Sequence, residues 1–332
     1  MGKQISVIVL VYNAEEYIER CACSLFNQTL TDIEYIFVDD CSTDRSVEIL
    51  EVVINQYPSR KHQVKVIHNE RNMKQAYCRT AGMQAATGEY IIHCDSDDWV
   101  DEDLYENMYE KAKLTGADIV TCNVTIHRKR EISKICYNYE GKPLDCLKEM
   151  KFNNYGCNKL IKRELIEQYS IYPFPGINCG EDLNIIVRAL SHAKSITYIQ
   201  QAGYHYWRNN AQSITMRSPL QNFEEYLFKD IEMISEYIYS INLPDAEKII
   251  AFIKLDQRGM LLWATSQGTY RSVKAWTKIW PETNKYITDY PGSSANQTKF
   301  VSLFCNQPFL LWCFVKSFRH YVKLKLYHKR SS

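Results

Sequence analysis

Ile5-Ser6-Val7-Ile8-Val9-Leu10-Val11 is a short apolar run that breaks at Tyr12-Asn13, and residues 15–27 then repeat their apolar positions at helical spacing. A run of this length, closed by a turn and followed by an amphipathic segment, reads as the first strand and helix of a βαβ unit. The same alternation recurs downstream. Residues 35–38, 64–67, 90–94 and 119–122 read as further strands, and 44–57, 76–86 and 102–115 as helices, the last ended by Gly116. Strands that alternate with helices predict an α/β fold with a mostly parallel central sheet.

In an open parallel sheet the ligand sits beyond the carboxyl ends of the strands, so the loops to inspect are those that follow each apolar run. The first run leads into Tyr12-Asn13, the second into Asp39-Asp40-Cys41-Ser42-Thr43-Asp44, and the fourth into Asp95-Ser96-Asp97-Asp98. Three carboxylates within four residues repel one another unless a cation or hydrogen-bond donors compensate. Hard divalent ions such as Mg²⁺ and Mn²⁺ take oxygen ligands of this kind, together with substrate phosphates. An acidic helix N-terminus explains Asp97, Asp98, Asp101, Glu102 and Asp103 equally simply, since their charge opposes the helix dipole. For Asp39-Asp40 the competing readings are a nucleoside contact and a turn with helix capping by Ser42, Thr43 or Asp44.

The 332 residues are 45% hydrophobic and 24% charged, enough to build one large or two moderate cores. Lys+Arg 40 against Asp+Glu 39 leaves no basic excess of the kind nucleic-acid binders show, and no nucleic-acid partner is expected. The balance is uneven, because no acidic residue follows Asp289 while Lys299, Lys316, Arg319, Lys323, Lys325, Lys329 and Arg330 do. The 12 cysteines form no C-x-x-C pair and no His/Cys cluster at zinc-finger spacing, which argues against a structural zinc site. Without a secretory h-region after Met1-Gly2-Lys3 the thiols are expected to be reduced and the protein cytoplasmic. No apolar run reaches eighteen residues.

G-x-G-x-x-G, G-x-x-x-x-G-K-[ST] and G-x-S-x-G are all missing, so neither a dinucleotide fingerprint, a P-loop nor a nucleophile elbow is available. The charge of a diphosphate would then fall to a metal and to basic side chains, for which Arg71, Lys74 and Arg79 are candidates; a solvated helix face is their other reading. A third constellation, Gly176-Ile177-Asn178-Cys179-Gly180-Glu181-Asp182, opens a helix-period segment. A carboxylate fixed there could take a proton from an acceptor hydroxyl, or could simply cap the helix.

Taken in order, these residues carry a resemblance. The chain resembles the family 2 glycosyltransferases of the GT-A fold, of the bacterial type that builds surface polysaccharide. The matching features are Ile5 to Asn13, Phe37-Val38-Asp39-Asp40-Cys41-Ser42-Thr43-Asp44, Asn72 with Arg79 and Gly82, and Gly88-Glu89-Tyr90-Ile91 leading into Asp95-Ser96-Asp97-Asp98. Asn158-Lys159-Leu160, Glu181-Asp182, Tyr204-His205-Tyr206 and Ser213-Ile214-Thr215 complete them.

The resemblance implies an inverting, metal-dependent transfer from a nucleotide-sugar, UDP-linked by expectation, to a hydroxyl of a growing capsule, O-antigen or exopolysaccharide. Asp182 would be the general base. Asp39 would meet the uracil, with Val11, Tyr12 and Asn13 lining the base pocket and Asp40 beside them. Asp95 would bind ribose or a metal-bound water, Asp97 would ligate Mn²⁺ or Mg²⁺, and Asp98 would hold the metal loop or the sugar. Asn72, Lys74, Arg79, Glu181 and Arg208 fall on the donor side. His205 stands either as a further metal ligand or as a packed side chain. Lys74 and Thr80 occupy positions where the family often has Gly and Asn, and Leu10 one where it often has Pro.

The catalytic domain is expected over 1–218, with a nucleotide-binding half at 1–125 and an acceptor half at 126–218. A helical region with a basic, aromatic tail fills 219–332. Residues 300–330 suit either in-plane contact with an anionic membrane, on the inner face where a lipid-linked acceptor would lie, or a core helix ending in a solvated basic tip. Two other functions fit acidic strand ends: a metal-dependent sugar nucleotidyltransferase, and a glycan-binding descendant without turnover. The first usually needs a Gly-rich basic loop after the first strand, which Tyr12-Asn13-Ala14-Glu15-Glu16 is not.

Overall fold

The computed structural model describes residues 2–129, 131–210, 220–265, 269–291 and 307–317. They form two compact units, the first comprising Met1–Leu147, Lys151–Ser218 and Glu225–Ile234, the second Lys148–Met150, Pro219–Glu224 and Ser235–Ser332. The first unit is an α/β layer structure built on one nine-stranded sheet in the order β3-β2-β1-β4-β8-β6-β9-β5, with β7 paired to β6. Its strands are β1 Ile5–Val11, β2 Ile33–Asp39, β3 Val64–His68, β4 Tyr90–Asp95, β5 Trp99–Val100, β6 Ile119–Arg128, β7 Glu131–Ile135, β8 Lys159–Lys162 and β9 Ile196–Trp207. Its helices are α1 Ile18–Phe26, α2 Ser46–Gln56, α3 Gln75–Ala85, α4 Leu104–Thr115, α5 Pro143–Lys148, α6 Arg163–Gln168 and α7 Asp182–His192. Of α8, Leu220–Ser240, the middle turns belong here.

The strands β3, β2, β1 and β4 are all parallel, and chain order reverses across β1, which pairs with β2 on one side and β4 on the other. That reversal creates a crevice beyond Val11, Asp39 and Asp95. β1 is apolar on both faces because both are covered. Val7, Val9 and Val11 pack with Ile18, Leu25 and Phe37, while Ile8 faces α3. There a Cβ on Gly82 would come within 2.5 Å of Ile8 Cγ2, so only glycine lets this helix lie so close to the strand. α4 ends at Gly116 with φ +66°, in the left-handed region.

Beyond β4 the sheet changes character. β8 joins β4 and β6 in antiparallel register, and β9 runs parallel to β6 with a register shift between Cys122 and Val124. The bulge is laced by Asn123 Nδ2 donating to the Gln200 carbonyl (2.8 Å) and Thr125 Oγ1 to that of Ala202 (2.7 Å). It restarts the ladder at Tyr204, whose hydroxyl meets the loop after β4.

The second unit is helical, as expected. It holds α9 Ala246–Thr265, α10 Tyr270–Trp276, a 3₁₀ segment Pro281–Asp289 and α11, residues 308–317. Ile249, Phe252, Ile253 and Arg258 are buried, and the Arg258 guanidinium lies 4.4 Å from the Trp276 ring centroid and donates to Asn284 Oδ1 at 2.6 Å. Ser213-Ile214-Thr215 and, of the tail, residues 300–306 and 318–330 lie outside the described residues.

Candidate active site

Three strand ends and one helix N-terminus build the site. After β1, Asn13 takes a positive φ of 50°, a conformation asparagine tolerates, and this turns the chain toward the loop after β2. Asn13 Oδ1 accepts the Thr43 N–H (2.8 Å), and the Ala14 N–H donates to Ser46 Oγ (2.6 Å). Val11 is buried with its carbonyl accepting the Asp40 N–H, and Tyr12 is exposed.

Adjacent aspartates, one ending β2 and one just after it, divide the work. Asp40 is consumed internally, with Oδ1 accepting from Asn69 Nδ2 (2.9 Å) and the Met73 N–H (2.6 Å) and Oδ2 from the Lys74 N–H (2.9 Å). It therefore shapes the loop into α3. Asp39 accepts the Ser42 N–H on Oδ1, while Oδ2 meets only the half-exposed ring of His68 at 3.3 Å among the described residues. Lys74 is exposed, and the Asn72 Oδ1 atom is buried with no partner among the described residues.

The loop after β4 concentrates charge. Burial pushes the Asp95 carboxyl up to about 7; Arg79 opposes this, while Asp97, Asp182 and Glu181 add to it. Burial also raises Asp97, against a hydrogen bond from Asn210 Nδ2 to its Oδ2 (2.8 Å). Asp98 is fully buried and raised well above the usual carboxylate range by desolvation and by its two acidic neighbours. Its oxygens accept the Tyr204 hydroxyl (2.6 Å) and the Trp207 N–H (2.7 Å), tying the loop to β9. Part of the compensation comes from α1, where Arg20 Nη2 donates to the Asp97 carbonyl (2.6 Å) and the guanidinium lies 3.8 Å over Trp99.

His205 is occupied on both ring nitrogens. Nε2 meets Asp101 Oδ1 at 2.8 Å, Nδ1 meets His127 Nε2 at 2.9 Å, and the ring stacks on Trp99. This is the packed arrangement that the sequence offered as the alternative to ligation. Among the described residues no group of three or more His, Cys, Asp or Glu side chains is placed to hold a metal ion together. Asp95 and Asp97 nevertheless suit a hard cation that draws its remaining oxygens from phosphate and water. Arg208 is exposed at the end of β9.

The start of α7 brings a second acidic pair together with Arg79. Arg79 is 3% exposed and donates through Nε (3.1 Å) and Nη2 (3.0 Å) to Glu181 Oε1, with Asp182 Oδ1 at 3.5 Å. Burial would lower the guanidinium, but Asp182 and Glu181 outweigh it and hold its pKa above the ordinary value. Burial raises Glu181 while Arg79 opposes the rise. Asp182 is the open member of the pair at 26% side-chain exposure, and its Oδ2 accepts the Gly156 N–H at 3.1 Å. Arg79, expected near the diphosphate, lies buried beside these two carboxylates.

Three contributors were not assigned roles from sequence. Arg20 acts 77 residues away from Asp97 and carries no local signature. Gly156 sits in a Tyr- and Asn-rich stretch without periodicity. Lys159 did leave a trace, a charged residue opening the apolar run Lys159-Leu160-Ile161, and it is 3% exposed.

A sheet with parallel strands at its centre, a crevice where chain order reverses and acidic loops at that crevice define a GT-A-type α/β protein. The glycosyl transferase family 2 profile matches residues 6–170. The chain is 36% identical over 233 residues to the putative glycosyltransferase EpsH of Bacillus subtilis, covering 67% of this chain and 66% of that one. It is 30% identical over 270 residues to the uncharacterized glycosyltransferase EpsJ of the same organism, covering 78% and 77%. The protein belongs to glycosyl transferase family 2 and is a glycosyltransferase. In fold it is similar to S. aureus TarS 1–349, solved in complex with UDP-GlcNAc (TM-score 0.68, 18% identity, 96% of this chain and 92% of that one). It is also similar to the mannosyltransferase PcManGT of Pyrobaculum calidifontis, solved with GDP-Man and Mn²⁺ (TM-score 0.55, 16% identity, 98% and 87%).

Proposed function

We propose that this glycosyltransferase is inverting and metal-dependent, and that it moves a sugar from a UDP-sugar to a hydroxyl of a growing cell-surface glycan, free or lipid-linked. The observation that carries the reading is the state of Asp182. It is a partly exposed carboxylate beside the buried Arg79–Glu181 pair, and its charge is felt by Asp95 at the end of β4. Asp182 takes the acceptor proton as the hydroxyl attacks the anomeric carbon on the face opposite the leaving diphosphate. Asp39 Oδ2 accepts from the uracil, between Val11, Tyr12 and Asn13. Asp95 and Asp97 hold Mn²⁺ or Mg²⁺, which when bound offsets charge on the leaving diphosphate. Lys74, Asn72 and Arg208 line the donor side. The UDP-GlcNAc bound to TarS and the Mn²⁺ with PcManGT support this reading by likeness of fold.

UDP release from a panel of UDP-sugars with Mn²⁺, with and without EDTA, tests the proposal. Release that depends on metal and on added glycan acceptor is expected; donor consumption unaffected by EDTA would sink the metal dependence.

No described helix is long and apolar enough to cross a membrane. We infer from α11 that the tail makes peripheral contact with an anionic surface, which for this function would be the inner face of the cytoplasmic membrane. On α11, Leu311 and Val315 are fully buried while Phe309 is 58% and Leu310 43% exposed, beside Tyr270 at 41%. Lys316 lies 5.0 Å from the Trp312 centroid. This combination gives one face to the protein and an aromatic, basic face to headgroups. Sedimentation with anionic liposomes, lost on deletion after Thr298, is expected; unchanged cosedimentation would reject the contact.

A further inference from the structure

Asn158-Lys159-Leu160 is a motif to which the proposed chemistry gives no task, yet its lysine is buried beside the acidic cluster. Lys159 opens β8, and its ammonium donates to Asn153 Oδ1 (2.6 Å), the Tyr155 carbonyl (2.7 Å) and Asn158 Oδ1 (3.0 Å). Those acceptors match the three donors of a protonated lysine, and all belong to the six residues before it. Asn158 in turn donates through Nδ2 to the Cys122 carbonyl on β6 (2.8 Å), anchoring the loop to the sheet. Burial lowers the amine to about 8, so at neutral pH it retains the charge that needs three acceptors.

The loop so gathered has one outward consequence. The Gly156 N–H points at Asp182 Oδ2 (3.1 Å), and a Cβ at Gly156 would stand 2.7 Å from Asp182 Oδ1 and 3.0 Å from its Cγ. A side chain here would displace the carboxylate itself, and Gly156 has no positive φ that would otherwise demand glycine. On the other side, Arg79 approaches Asp182 Oδ1. The carboxylate is therefore held between a guanidinium from α3 and a peptide N–H from the loop before β8.

We propose that Asn158 and Lys159 are positioning residues that fold residues 153–158 around the lysine ammonium, so that the Gly156 N–H fixes the orientation of Asp182. The assignment rests on Asp182 being the base. Lys159 touches neither donor nor acceptor; it acts through Gly156. A carboxylate free to rotate loses its alignment with the attacking hydroxyl, and misplacement of about 1 Å lowers turnover on the order of 10²-fold while leaving donor binding intact.

Steady-state kinetics and amide NMR on the full chain test this. Lys159→Met is expected to lower kcat about 10²-fold, with the KM for the nucleotide-sugar changed less than about twofold. Gly156→Ala gives the same split while keeping the lysine and its acceptors, and it decides the matter if Lys159→Met does not fold. With glycine-selective ¹⁵N labelling, the Gly156 amide proton moves upfield in Asp182→Asn, moves likewise in Lys159→Met, and moves no further in the double variant. Should Asp182→Asn abolish transfer while Lys159→Met and Gly156→Ala keep wild-type kcat, or should the amide stay put in Lys159→Met, the positioning role is overturned. Turnover by Asp182→Asn would instead overturn the base assignment on which it stands.

Discussion

Two nitrogens of Arg79 converge on a single oxygen of Glu181, at 3.1 and 3.0 Å, with both side chains 3% exposed. The pair joins α3 to the start of α7 and fixes the backbone from which Asp182 projects.

Removal of the arginine alone leaves Glu181 buried without its charge partner, which costs about 3–5 kcal/mol. Arg79→Ala is therefore expected to lower the urea unfolding free energy by that amount, whereas Arg79→Met with Glu181→Leu recovers most of it because neither charge remains. A loss below about 1 kcal/mol in the single variant would show that the pair contributes little, as exposed pairs do.

Asp97 offers a cleaner test of the metal proposal than Asp98, whose oxygens are both engaged by Tyr204 and Trp207. Titration calorimetry of Asp97→Ala with UDP should lose the Mn²⁺-dependent part of the binding and keep the metal-free remainder. Binding as strong as wild type in the presence of Mn²⁺ would remove Asp97 from the ligand set.

The parallel half of the sheet was legible because β1, β2 and β4 are almost wholly buried and, like the short edge strand β3, end in turn chemistry. Each expected strand and helix from residue 5 to 122 corresponds to an element of the structure. Of the mixed flank beyond β4 only the start of β6 was legible. β9 reads Ile-Thr-Tyr-Ile-Gln-Gln-Ala-Gly-Tyr-His-Tyr-Trp, and its bulge breaks the two-residue period on which strand recognition depends. β5 is two residues long, and β8 begins with a lysine. Acidic clusters could be read locally, but their compensation could not: Arg20 reaches Asp97, and Arg79 reaches Glu181, across 77 and 102 residues.

Asp230 on α8 gives a pH dependence of stability. It is 1% exposed and accepts from Asn184 Nδ2 at 2.7 Å, while Asp230 Oδ2 and Asn184 Oδ1 are buried without partners among the described residues. Burial pushes the carboxyl up from 3.8 to about 7; the Asn184 bond opposes this and Glu181 adds to it. The folded state thus holds the proton more tightly than the unfolded chain. Stability from this group is fully present below pH ~4, falls as pH rises from there, and is gone above pH ~7, an overall loss on the order of 4 kcal/mol. Asp230→Asn keeps the neutral shape and can also donate to Asn184 Oδ1. Urea midpoints should favour the variant at pH ~8, by an advantage that shrinks on acidification. A wild-type midpoint flat between pH ~5 and ~8 would contradict the assignment.

Lys74 separates backbone conformation from side-chain function. Its φ of 72° and ψ of 168° fall in a region that is essentially reserved for glycine, and its N–H is held there by Asp40 Oδ2. Replacement by glycine relieves strain of roughly 1–3 kcal/mol, reduced by up to ~1 kcal/mol for the greater freedom of the unfolded chain. The exposed ammonium makes no hydrogen bond or ion pair among the described residues, so Lys74→Gly is expected to raise Tm. If the same ammonium meets the donor, the KM for the nucleotide-sugar should rise in the same variant. Stability and donor affinity would then move in opposite directions from one substitution. A rise in Tm with unchanged KM would place the lysine outside the donor site, and an unchanged Tm would mean the loop relaxes without help from glycine.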